Sequence, residues 1–217
     1  MGPRAWGSKP RSVRVLDAAF VASAAGAAGL PRGREPRIAL VGRSNVGKSS
    51  LINALVGRRV ARTSAAPGKT RLANLYRVTP AGGSILHLID LPGYGYARGG
   101  EAARQEFARL IEEFFRLQTE DPLPAALLVV DARHPGLASD LAARDGRDRL
   151  GVPYAAVATK IDKLTRAERA RAATTLQHSF GTAVPAVSSK DGEGLDDLWK
   201  VMARLASSQQ TAPPRRW

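Results

Sequence analysis

Residues 37–56 read RIALVGRSNVGKSSLINALV, and no other stretch constrains the fold as much. An apolar β-branched run leads into a loop containing Gly42 and Gly47, and an apolar run at helical spacing follows Lys48. This is G-x-x-x-x-G-K-[ST] set between a strand and a helix, the context in which that pattern has a physical meaning. The glycines allow the backbone of Gly42, Arg43, Ser44, Asn45, Val46 and Gly47 to turn its N–H groups inward. The helix behind them, opening on Lys48, Ser49 and Ser50, adds the partial positive charge of its N-terminus. A triphosphate cradle is expected, with Lys48 bridging the outer phosphates and the Ser49 hydroxyl ligating magnesium. The loop alone leaves open which nucleotide it holds and why an Asn stands at position 45.

The rest of the chain alternates in the same way. Apolar runs at RIALV, ILHLID, AALLVVD, PYAAVATK and AVPAVSS are separated by segments of helical periodicity. That pattern predicts an α/β fold with a mostly parallel sheet covered by helices on both faces. LANLYRVTPAGGSILHLID reads as two strands around a Gly-Gly turn, which makes one of six strands antiparallel. Three helices are marked: one with Phe107, Leu110, Ile111, Phe114 and Phe115 on a face, and one with Leu195, Leu198, Trp199, Met202 and Leu205. The third opens at Thr165, with Glu168 completing a capping box.

Length and composition set the bounds. A chain of 217 residues holds one domain with a full core, and the absence of cysteine excludes disulfides and thiolate metal sites. With 44% apolar residues and no apolar run near eighteen, no membrane partner is expected. The apolar stretch VRVLDAAFVASAAGAAGL has some signal-peptide character, but Asp17 interrupts it, and a leading strand or helix packed on the domain is the preferred reading. The formal net charge is +14. Residues 1–37 carry seven Arg/Lys against two acids and residues 200–217 carry four against none, so the two ends hold nine of the fourteen. Basic ends on a near-neutral body suit a polyanion such as RNA; a chain that merely favours arginine on solvated faces is the alternative. The expected organisation is a basic N-terminal extension over 1–33, one domain over 34–206 and a disordered Pro/Arg tail over 207–217.

Four further segments carry chemistry. DLPGYG, residues 90–95, ends a strand; Asp90 is placed to hold magnesium, followed by Leu91 and Pro92, and the Gly93 N–H to meet a γ-phosphate. ATKIDKL, residues 158–164, selects the base. The Asp162 carboxylate accepts both the ring N–H and the exocyclic amine of guanine but is left unpaired by adenine, which costs about 1 to 3 kcal/mol. Thr159, Lys160 and Lys163 surround it, and the Lys160 stem is expected to lie along the base. SSKDGEG, residues 188–194, offers Ser188, Ser189 and Lys190 to the guanine oxygen. TSAAPGKTR, residues 63–71, contains Pro67, Gly68 and Thr70, and the Thr70 hydroxyl would close on magnesium when the γ-phosphate is present. The P-loop, D-x-x-G and the Asp162 loop, in that order along the chain, indicate GTP, with Lys48, Thr70 and Gly93 acting at the γ-phosphate.

GRSNVGKSSLINAL, ARTSAAPGKT, DLPGYGYA, TKIDKL and SSKDGEG, in this order and spacing, resemble the EngB (YihA/YsxC) family of bacterial GTPases over residues 34–206. The resemblance implies a Ras-like G domain, a cytoplasmic role in maturing the large ribosomal subunit, and a link to cell division and septation. It also implies a second reading of Asn45. In similar GTPases an Asn here accompanies activation by potassium, while the plainer account is that Asn tolerates the loop's backbone angles. Thr159 stands where most GTPases have Asn, which would weaken the tie between the base loop and the P-loop. PGKT replaces the usual PGRT, and the last motif is shortened and acidic.

Two function classes remain. One is a slow GTPase switch acting, as a monomer, on the large ribosomal subunit. The other is a GTP-driven enzyme or RNA-modifying factor with a separate substrate. His87, His134 and His178 are scattered, and no polar cluster is left over for a second reaction, which favours the switch.

Overall fold

The computed structural model describes residues 13–25, 29–31, 33–63, 72–94, 112, 114–115 and 124–211. The strands are β1 (Val15–Ala24), β2 (Arg37–Gly42), β3 (Ala73–Pro80), β4 (Leu86–Asp90), β5 (Ala125–Asp131) and β6 (Tyr154–Thr159). The helices are α1 (Lys48–Val56), α2 (Ala138–Leu150), α3 (Arg166–Phe180) and α4 (Leu195–Thr211). One sheet runs β1-β3-β4-β2-β5-β6. The pairs β4/β2, β2/β5 and β5/β6 are parallel, and β3 is antiparallel to both its neighbours. This is the expected six-stranded, mostly parallel sheet with one reversed strand.

β2, β4 and β5 are buried along their whole length, which is why they read as unbroken apolar runs. Alternate residues of β2 enter opposite cores. Ile38 and Leu40 join α1 and the apolar face of α4, where Leu195, Leu198, Trp199, Met202 and Leu205 are all buried. Ala39 and Val41 join the other core with Phe114, Phe115, Leu176 and Phe180. Phe114 and Phe115 meet edge to face at 5.2 Å; Phe107, Leu110 and Ile111 lie outside the described residues. At the start of α3, Thr165 Oγ1 accepts from the Glu168 N–H and Glu168 Oε2 accepts from the Thr165 N–H, completing the capping box.

The sixth strand is a different one from that expected. AVPAVSS makes a single bridge, Ala158 to Ala186, because Pro185 has no N–H to extend a ladder. β1 takes the sixth place instead, pairing with β3 from Val15↔Pro80 to Ala24↔Ala73 with two irregularities in register. Residues 15–24, assigned above to the N-terminal extension, therefore belong to the sheet.

The other end differs too. α4 continues to Thr211, five residues into the segment expected to be tail. Gln209 is buried: its Oε1 accepts from the Arg37 N–H at 2.9 Å and its Nε2 donates to the Arg37 carbonyl at 3.0 Å. A side-chain amide satisfies a strand's backbone and pins the last turns of the helix to the start of β2.

Candidate functional site

The carboxyl ends of β2, β4, β5 and β6 lie along one edge of the sheet, where ligands bind in open α/β folds. The loop after β2 is tightly built. Gly47, at φ +111°, adopts a backbone that L side chains rarely take, and Asn45 sits at φ +61°, where Asn is among the few tolerated residues. α1 then opens at Lys48 with no side-chain cap and no acidic residue in its first turn, unlike the boxed start of α3. Its positive end is left for an anion.

Lys48 is buried, and its Nζ donates to the carbonyls of Gly42 at 3.0 Å and Arg43 at 3.3 Å. Burial pushes its pKa down, opposed by the Asp90 charge. Ser49 Oγ donates to Asp90 Oδ2 at 2.6 Å. Asp90 Oδ1 is buried without a hydrogen-bond partner among the described residues. Burial pushes the Asp90 carboxyl up, against the Lys48 charge and the Ser49 bond. A buried carboxylate oxygen without a donor, next to a hydroxyl oxygen, is the hard-oxygen pair that suits magnesium.

After Asp90 the chain runs through Leu91 and Pro92 and folds back against the P-loop. A Cβ on Gly93 would lie 2.6 Å from the Ser44 backbone nitrogen, so only glycine fits there. Ser44 Oγ donates to the Gly93 carbonyl at 3.0 Å and the Ser44 N–H to the Tyr94 carbonyl at 2.8 Å. The Tyr94 ring is buried, and its hydroxyl donates to Asp140 Oδ1 on α2 at 2.6 Å.

The base loop is tied to the same structure. Thr159 Oγ1 lies 2.7 Å from the Val46 carbonyl and 3.0 Å from that of Val130, so the tie expected to suffer from the missing Asn is made by the threonine hydroxyl. Lys160, at φ +65°, donates to the Asn45 carbonyl and to Asp131 Oδ2 at 2.9 Å. Asp162 is followed by Lys163, whose Nζ is 3.7 Å from its carboxylate. Ser188 Oγ lies 3.3 Å from Asp162 Oδ1 and accepts from the Asp191 N–H at 3.1 Å, joining the last loop to the base loop. Ser189 is partly exposed and Lys190 exposed in the turn beyond. Four of the five segments singled out in the sequence thus meet through hydrogen bonds. Pro67, Gly68 and Thr70 of the fifth lie outside the described residues.

Two features escape a motif reading. Asp131, at the end of β5, accepts from Arg133 Nε at 2.9 Å, from Arg133 Nη2 at 2.7 Å and from Lys160. Burial pushes its carboxyl up, but the bonds from Arg133 and Lys160 outweigh that and hold it well below the usual range. Its only signal in the sequence is VVDAR, an acid at a strand end with an arginine two residues on. The Tyr94–Asp140 bond has no local signal, since it spans 46 residues. Among the described residues, no group of three or more His, Cys, Asp or Glu could hold a metal on its own, and no helix is long and apolar enough to cross a membrane.

Residues 37–160 match the family described as 50S ribosome-binding GTPase. The chain is 39% identical over 197 residues to the probable GTP-binding protein EngB of Pelotomaculum thermopropionicum, covering 88% of this chain and 96% of that protein. It is 42% identical over 211 residues to the probable GTP-binding protein EngB of Anaeromyxobacter sp. strain K, covering 92% and 96%. The fold is similar to the crystal structure of a tyrosine-to-alanine variant of Aquifex aeolicus Era bound to GDP and AlF4-, with a TM-score of 0.65 at 23% identity, over 80% of this chain and 57% of that one. A P-loop, a D-x-x-G segment and a T-K-x-D loop joined by hydrogen bonds on one sheet edge thus coincide with high identity along most of the chain: this protein belongs to the EngB family of GTP-binding proteins and is a GTPase.

Proposed function

We propose that the protein is a slow GTPase switch that acts on the large ribosomal subunit during its assembly, in the cytoplasm and as a monomer, with the link to cell division and septation that its family suggests. The observation that carries the nucleotide part is the hydrogen-bonded junction of P-loop, D-x-x-G loop and base loop. The description of the matched family supports the ribosomal part. The basic ends of the sequence supply the charge that rRNA phosphates require.

In this reading the backbone of Gly42–Ser50 cradles the phosphates and Lys48 leaves its carbonyl partners for the outer phosphate oxygens. Asp162, steadied by Ser188, reads guanine, with Ser189 and Lys190 at its oxygen. Ser49 and Asp90 fit magnesium, joined by Thr70 as its sequence motif implies. When bound with GTP, the ion neutralises charge on the β- and γ-phosphates. For the Gly93 N–H to meet the γ-phosphate, the contacts of Ser44 with Gly93 and Tyr94 must rearrange, which links the state of the nucleotide to the segment that follows.

Slow turnover follows from Tyr94. A Ras-like switch has a Gln there to orient the attacking water, whereas this ring is buried against Asp140. Intrinsic turnover is expected at or below the order of 10⁻⁴ s⁻¹. Of the two readings of Asn45, its positive φ supports the conformational one. The potassium reading requires faster turnover in potassium than in sodium buffer, and loss of that difference in Asn45→Ala. The alternative of a GTP-driven enzyme with a second substrate gains no support from the described residues.

The test is GTP turnover by the purified protein with and without large ribosomal subunits. Slow turnover that rises severalfold with the subunit is expected. Brisk turnover alone, or no response to the subunit, contradicts the proposal.

A further inference from the structure

Asp131 lies outside the five motif segments, yet it is bonded to the lysine that bridges two of them. Its carboxylate stands at the end of β5, buried, with each oxygen spoken for. Oδ1 accepts from the Arg133 backbone N–H at 3.1 Å and from Nε at 2.9 Å, and Oδ2 accepts from Arg133 Nη2 at 2.7 Å and Lys160 Nζ at 2.9 Å. The paired guanidinium bonds fix the plane of the carboxylate. The neighbouring backbone is fixed as well, because the Ala132 N–H donates to the Thr159 carbonyl at 3.0 Å.

Lys160 needs such a partner. A lysine stem has four rotatable bonds and a strongly hydrated head, and left alone it would sample many rotamers. Here its backbone is held at φ +65° and its ammonium at two points, the Asn45 carbonyl and Asp131. Its Cε lies 3.9 Å from where a Cβ on Gly47 would stand, so the stem passes across the P-loop.

We propose that Asp131 is a positioning residue for nucleotide binding: clamped by Arg133, it holds the Lys160 ammonium so that the stem is in place as a wall of the guanine slot before the nucleotide arrives. This rests on the reading that Lys160 lies along the base. Preorganisation spares the nucleotide the cost of ordering that side chain.

A double-mutant cycle on the full chain tests it, with the affinity for fluorescently labelled GDP measured for the parent, Asp131→Asn, Lys160→Met and the double variant. Asp131→Asn is expected to weaken binding by about threefold to thirtyfold, the coupling usual within one ion-pair network. Lys160→Met is expected to weaken it at least as much, and the double variant no further than Lys160→Met alone. Losses that add in full, or an Asp131→Asn variant that binds as the parent does, overturn the proposal. Parent-like binding by Lys160→Met sinks the reading beneath it instead, so the two failures are distinguishable. If Asp131→Asn does not fold, the cycle is run with Arg133→Met, which frees the carboxylate from its clamp; the same loss of additivity is expected, and full additivity again overturns the proposal.

Discussion

Replacing Thr159 by valine removes one hydroxyl and keeps the shape. Thr159 is buried, 1% exposed, and its hydroxyl oxygen, with one proton to donate, lies 2.7 Å from the Val46 carbonyl and 3.0 Å from that of Val130. In Thr159→Val at least one of these carbonyls loses a donor in a place water does not reach. The cost of a buried acceptor left without a partner is about 1 to 3 kcal/mol. For a domain of this size each kcal/mol moves Tm by about 2 to 4 °C, so a drop of about 2 to 12 °C is expected by differential scanning fluorimetry without nucleotide. Because the bond joins the base loop to the P-loop, GDP affinity should fall as well, by up to about tenfold. Thr159→Ser, which keeps the hydroxyl, should hold most of both quantities. A Thr159→Val variant that melts and binds like the parent would refute the claim that this hydroxyl stands in for the usual asparagine.

Asp162→Asn should weaken GTP binding tenfold or more and favour xanthosine triphosphate, measured by competition against labelled GDP. Gln209→Ala removes both bonds to the Arg37 backbone and should lower stability by about 2 to 4 kcal/mol in urea, with GDP affinity unchanged once the chain is folded. The Asp131 carboxyl is held below its unfolded value, so it contributes stability above about pH 4 that is lost as pH falls through the folded value. The parent should therefore melt above Asp131→Asn at pH 7, with the gap narrowing below about pH 4; a gap independent of pH would contradict the ion-pair account.

The parts of this fold that were legible in the sequence are those in which one residue type has one physical use. The fully buried strands β2, β4 and β5 announce themselves as apolar runs, the Thr165–Glu168 box marks a helix start, and the stripe from Leu195 to Leu205 marks a buried helix face. β1 was harder to read, because an edge strand that is mostly exposed has no strong alternation. AVPAVSS looked better than it is, since propensity does not count the N–H that Pro185 lacks. Gln209 looked like tail because nothing local says that its amide meets a strand 172 residues away. The site divides in the same way. Its glycines, Lys48 and Asp90 follow from motif chemistry, whereas the Thr159 tie, the Tyr94–Asp140 bond and the Asp131–Lys160 pair depend on contacts between distant segments.

A switch that acts on the large ribosomal subunit, as proposed above, requires that the state of the nucleotide govern attachment to that subunit. Co-sedimentation of the purified protein with large subunits, in the presence of a non-hydrolysable GTP analogue, of GDP or of no nucleotide, tests it most directly. Binding with the GTP analogue that is at least tenfold tighter than with GDP, and that weakens steeply as salt is raised, is the predicted result. Equal binding in all three states, or none in any, would contradict the account.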